Sequence, residues 1–168
     1  MSSGEILSFI PSFLYGIALA ELFSHWRRFF EKQYLYLPYV ITTIVFTETA
    51  IWNVYLFLVQ IQDSNLIAYH EYWLFLIQPI IFLLLIHAFT PEIELKDTEA
   101  YFKKRIPIVF GLTSLYIALH LTPAFSGSKN DMWFRIIGVI ICLIIALTRN
   151  IKAIYALGIF WLLTLFFK

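Results

Sequence analysis

Glu48 is the only charged side chain in the apolar stretch 39–61. A carboxylate at the centre of a helix in hydrocarbon costs about 2.5–3.5 kcal/mol or more, so it must face a partner or a task that uses a proton or a cation. On a helix, Trp52 and Tyr55 would share its face, Thr49 and Asn53 would lie on an adjacent one, and Thr42 would sit toward one end. A protonated Glu48 bonded across a bundle would be structural. An ionised one would mark a proton or ion path.

Glu21, His25 and Arg28 follow at i, i+4 and i+7 and so share one helical face. Such a ladder could pass protons or cations inward from water; the plainer reading is an acid–base pair reaching toward an interface. Gln78 precedes Pro79, which should kink its helix and free a carbonyl one turn earlier. That kink would form a hinge, a cavity wall or a simple packing feature. The candidate conduit residues are therefore Glu48, Glu21, His25, Asn53, Tyr55 and Gln78.

Four histidines divide two and two between the predicted ends: His25 and His87 toward one, His70 and His120 toward the other. Paired axial imidazoles are what a bis-histidine haem needs, so these four are the weak haem candidates. The pattern requires no cofactor and offers no other metal site. The sequence has no H-E-x-x-H, no G-x-S-x-G and no phosphate-cradling glycine loop. No basic–aromatic patch suits nucleic acid, and the reading leans away from an enzyme.

These residues are positioned by an unusually apolar chain. Of 168 residues, 61% are hydrophobic and 14% charged, with net charge +1 and mean hydropathy +0.80. Soluble domains average about 25% charged residues, which makes a bilayer the expected solvent. Stretches long enough to cross about 30 Å of hydrocarbon fall at 6–26, 37–60, 72–90, 106–123, 132–148 and 151–167. The expected fold is thus all-α, one domain over residues 1–168, an integral membrane bundle of six transmembrane helices. Arg149, Asn150 and Lys152 separate the last two as a tight hairpin. Placing both termini outside leaves nine Lys and Arg residues in the cytoplasm and three outside, as the positive-inside rule prefers. No cleavable signal peptide is expected, and the single Cys142 reads as a small packing residue.

Small residues recur every fourth position at Ser12, Gly16, Ala20 and Ser24, and again at Gly138, Cys142 and Ala146. Both stripes are expected to approach neighbouring backbones. The segment 91–105 places Glu92, Glu94, Asp97 and Glu99 ahead of Lys103, Lys104 and Arg105. That charge order suits a short helix, and the segment reads as a solvated linker or as a docking face for a cytoplasmic protein.

The run GIALAELFSHWRR, the WNVY of the second span and the HAFTPE closing the third resemble a group of small bacterial multi-pass membrane proteins with no assigned activity. The resemblance implies a bacterial inner-membrane location and supplies no catalytic residue. The first expectation for function is a conduit, channel or transporter, for protons, ions or a small solute, in a homo-oligomer surrounded by lipid bilayer. The alternatives are a non-catalytic anchor or regulatory subunit for a cytoplasmic partner, and a haem-bearing redox protein.

Overall fold

In the computed structural model, which describes residues 3–26, 29, 35–62, 69–91, 97–121 and 129–166, the expected helical stretches fold as six α-helices. They are α1 (Ser3–Trp26), α2 (Leu37–Gln62), α3 (Tyr69–Phe89), α4 (Thr98–Leu119), α5 (Lys129–Thr148) and α6 (Ile151–Phe166). Neighbours in space form a ring in the order α1, α3, α4, α5, α6, α2, with α2 and α4 also touching across its middle.

Among the described residues, no helix is long and apolar enough to cross a membrane. The 16 residues of α6 rise about 24 Å, short of about 30 Å of hydrocarbon. In α2 the apolar run is diluted by Thr42, Thr43, Thr47, Glu48, Thr49 and Asn53. In α4 the first turns carry Glu99, Lys103, Lys104 and Arg105. The expected integral membrane bundle is therefore corrected to an all-α ring of six helices. The transmembrane, multi-pass and inner-membrane readings, and the orientation drawn from basic residues, fall with it.

The start of α4 differs from expectation for a local reason. Asp97 caps it, accepting a hydrogen bond from the Ala100 N–H at 3.0 Å, which satisfies one of the free donors of a first turn. Glu99 then pairs with Lys103 at i, i+4, 2.6 Å apart. The helix read as separate is thus the first two turns of α4. The rest of that segment, 92–96, lies outside the described residues.

Aromatic rings fill the centre. Tyr39 stacks on Phe89 with centroids 4.5 Å apart, Phe46 meets Phe89 edge-on at 5.2 Å, and Phe82 lies 5.1 Å from Tyr116. Phe102 and Phe110 continue the cluster along α4. Offset and edge-on pairs of this kind contribute about 0.5–1.5 kcal/mol beyond area burial. The threonines of α2 need no partner on other helices. Thr42, Thr43, Thr47 and Thr49 each donate to the carbonyl four residues back, at 2.7–2.9 Å.

Of the two small-residue stripes, the second packs as expected. Cys142 is fully buried, its thiol pushed up to about 12 by that burial, and a Cβ on Gly138 would meet Ile117 at 3.6 Å. The first does not: nothing lies within 4 Å of where a Cβ on Gly16 would sit. The closest approach is instead at Gly158 of α6, where a Cβ would fall 2.7 Å from Ile41 Cγ2 on α2. Gly158→Ala gains about 1 kcal/mol of helix propensity but must displace Ile41, and overpacking costs about 1–3 kcal/mol. Thermal unfolding should show Gly158→Ala neutral to destabilised and Gly158→Leu clearly destabilised. Gly111→Ala, with open space around it, should be stabilised by about 1 kcal/mol.

Candidate functional site

A polar cluster ties five helices together near the C-terminal end of α4. Tyr15 of α1 and Tyr116 of α4 are both buried, and their hydroxyls are 2.9 Å apart. Asn53 of α2 donates through Nδ2 to the Thr49 carbonyl at 2.7 Å, which leaves Oδ1 directed at His120 Nε2, 3.2 Å away. His120 Nδ1 donates to the Tyr116 carbonyl at 3.0 Å. Each imidazole nitrogen thus lies within hydrogen-bond distance of an oxygen acceptor. Gln78 of α3 is 1% exposed, and its amide lies against the His120 ring. Its Oε1 has no hydrogen-bond partner among the described residues. Arg135 of α5 donates to the His120 carbonyl.

The other end of α4 carries a second group. Glu21 of α1 turns its Oε1 toward Thr90 Oγ1 and lies 3.5 Å from His87 Nδ1 of α3. His25 does not meet that carboxylate. Its Nδ1 bonds the Glu21 carbonyl at 2.9 Å, beside Ser24 Oγ, and its Nε2 bonds the Pro91 carbonyl at 2.9 Å. Tyr101 of α4 closes the corner by donating to the Thr90 carbonyl at 3.0 Å. The expected ladder is therefore replaced by a contact between helices, Glu21 with His87. Arg28, its third member, lies outside the described residues.

Glu48 has a partner that its own helix could not reveal. Trp161 of α6 donates through Nε1 to Glu48 Oε2 at 2.8 Å. An indole needs an acceptor when it packs among apolar groups, and Glu48 supplies it. Tyr55 is exposed, and its ring packs against Trp52 with centroids 5.7 Å apart. The six conduit candidates thus divide four ways: Asn53 and Gln78 in the first cluster, Glu21 and His25 in the second, Glu48 of α2 against Trp161 of α6, and Tyr55 outside.

The space nearest Trp161 is an apolar cavity of about 30 Å³, lined by Thr42, Phe46, Thr49, Tyr116, Cys142 and Trp161 among others. It would hold about one water molecule, which is too small for a substrate. For haem the residues do not fit. His25 and His120, one from each expected pair, have both ring nitrogens engaged. The side chain of His70 lies outside the described residues. Among those described, no group of three or more His, Cys, Asp or Glu side chains is placed to hold a metal.

The sequence reading missed Trp161 as the partner of Glu48 and the Tyr15–Tyr116 pair. The second had a signal: two phenols deep in apolar helices each need a partner.

Two predictions follow from this geometry. Glu48→Gln keeps an oxygen for the Trp161 N–H and should change stability little. Glu48→Leu removes the acceptor and should cost about 1–3 kcal/mol in denaturant unfolding. Burial also drives the phenol pKa values of Tyr15 and Tyr116 upward. In the unfolded chain both ionise near about pH 10. The folded state then holds protons that the unfolded state releases, so stability is intact below that pH and falls as pH rises above it. Urea unfolding at about pH 9 and about pH 11 should show the loss, and Tyr15→Phe with Tyr116→Phe should abolish most of the difference.

Compared with known proteins, the chain matches no family model, no curated protein and no solved structure.

Proposed function

We propose that this protein is a non-catalytic helical subunit that assembles with copies of itself through α5. Its interior polar groups bond mainly to one another: Glu48 with Trp161, Asn53 with His120, Tyr15 with Tyr116. Groups so engaged serve to set helix register and are poorly placed to act on a substrate. The conduit expected at first relied on helices that cross a membrane, and it is not carried forward. Its proposed path would also have to pass the aromatic centre around Tyr39, Phe46, Phe82 and Phe89.

The observation that carries the proposal is the outer face of α5. Trp133, Ile137, Ile140, Ile144 and Leu147 follow at spacings of four, three, four and three. All are exposed, from 42% at Ile137 to 82% at Leu147. That spacing is the 3.5-residue period of a helix seam that faces another helix. From Ile136 to Thr148 the helix has no charged residue, so nothing along the seam selects a charged partner. A second copy of the same seam, related by a two-fold axis, is self-complementary to it.

Cysteine cross-linking tests the contact, because the native Cys142 is fully buried. Ile140→Cys should give a covalent dimer of the purified protein under mild oxidation, whereas Leu162→Cys on the exposed face of α6 should not. Ile144→Asp should lower the particle mass by native mass spectrometry. A particle of single-chain mass before any substitution would overturn the proposal.

A further inference from the structure

A basic cleft lies at the junction of α4 with the turn between α5 and α6. Lys103, Lys104 and Ile106 come from α4, Arg149 from the turn and Ile151 from the first residue of α6, and together they line about 380 Å³. That volume falls within the roughly 300–1,000 Å³ usual for small-ligand clefts.

The charges in it are incompletely balanced. Glu99 pairs with Lys103, and among the described residues neither Lys104 nor Arg149 has an ion pair. Cations gathered on one cleft repel one another and concentrate anions from solution. Their gathering is imposed by the fold, since packing of α4 on α5 brings segments more than forty residues apart in sequence to one edge.

Arg149 adds an independent observation. Its φ is 53°, the one positive value at a non-glycine residue among those described. Its N–H bonds the Ile145 carbonyl at 2.9 Å, closing α5 with a left-handed cap. Glycine or asparagine fills that position at least strain. An arginine there is conformationally costly, and strained positions of this kind cluster where a side chain has a task. The guanidinium is also the group whose planar fork matches two oxygens of a phosphate.

We infer that this cleft binds a phosphate-bearing ligand, its anionic oxygens held by Arg149 and Lys104 and its carbon portion resting on Ile106 and Ile151. Lys103, already paired with Glu99, serves as a secondary contact. The chemistry is that of a phosphoester, whether it arrives as a soluble small molecule or as a phospholipid headgroup. The site is separate from the α5 seam and does not depend on self-assembly.

Titration calorimetry with phenyl phosphate and with inorganic phosphate tests the site, and Lys104→Gln and Arg149→Asn are the variants. Asparagine tolerates the left-handed backbone, so Arg149→Asn removes the charge while preserving the turn. Phenyl phosphate should bind more tightly than inorganic phosphate, and each variant should weaken it by about tenfold or more, with helical circular dichroism unchanged. Co-sedimentation with phosphatidylglycerol vesicles, against phosphatidylcholine vesicles, distinguishes the source. Vesicle binding lost in both variants, without phenyl phosphate binding, assigns the ligand to a headgroup. Phenyl phosphate binding without vesicle binding assigns it to a soluble phosphoester. Binding of neither probe, or binding unaffected by both variants, overturns the site.

Discussion

The ring is held in register by the need to satisfy polar groups buried where α1, α2, α3 and α4 converge. Asn53, Gln78, Tyr15 and Tyr116 are all nearly inaccessible, and a buried polar group without a partner costs about 1–3 kcal/mol. Apolar packing alone tolerates sliding, because one leucine-rich surface fits another in several ways. A hydroxyl pair 2.9 Å long does not. Moving α1 by a single residue against α4 would shift Tyr15 by about 1.5 Å and rotate it by about 100°, which breaks the pair. The same reasoning holds α2 to the end of α4 through Asn53 and His120. Hydrophobic burial makes the helices associate, and the polar contacts choose among the associations.

How polar groups are satisfied also explains why α2 can be so rich in threonine. Its four buried threonines return their protons to carbonyls one turn back. Each then presents only a methyl group to its neighbours and behaves as a small apolar residue. Asn53 makes the same backbone bond with its nitrogen, but an amide also has an oxygen to satisfy. That oxygen forces the contact with His120. On α2, then, the threonines are absorbed locally, whereas Asn53 reaches across the bundle.

Helix existence was legible in the sequence, and helix role was less so. Apolar stretches located the starts of α2 and α6 to the residue and that of α5 three residues late, because Arg149 and Asn150 interrupt any longer helix. The start of α4 was misplaced by eight residues, since its charged first turns look like a linker until the Asp97 cap is recognised. The membrane reading failed because composition averages the chain. The 61% of hydrophobic residues are divided among helices that are each short or broken by polar side chains. The candidate site was legible as a set of residues and opaque as a set of partners. Spacing along one helix shows which side chains share a face, but Glu48 with Trp161 and Glu21 with His87 are separated by 113 and 66 positions. Only the ring order of the helices brings them together.

That ring order also separates the surfaces that remain available. The helices α1 to α4 share the buried polar cluster and the aromatic centre, whereas α5 contributes Arg135 and the small residues that let α4 and α6 approach. With one face of α5 turned inward at Gly138, Cys142 and Ile145, the helical period leaves the opposite face outward at Ile137, Ile140, Ile144 and Leu147. A helix with an apolar inner face needs nothing apolar outside for its own folding. The outer face of an amphipathic surface helix is usually polar or charged, and α5 has no charged residue C-terminal to Arg135. The bases that could have stood there are placed at its end instead, where Arg149 accepts a strained backbone beside Lys104. The arrangement gives α5 two distinct outer regions, an uncharged flank suited to another helix and a basic tip suited to an anion.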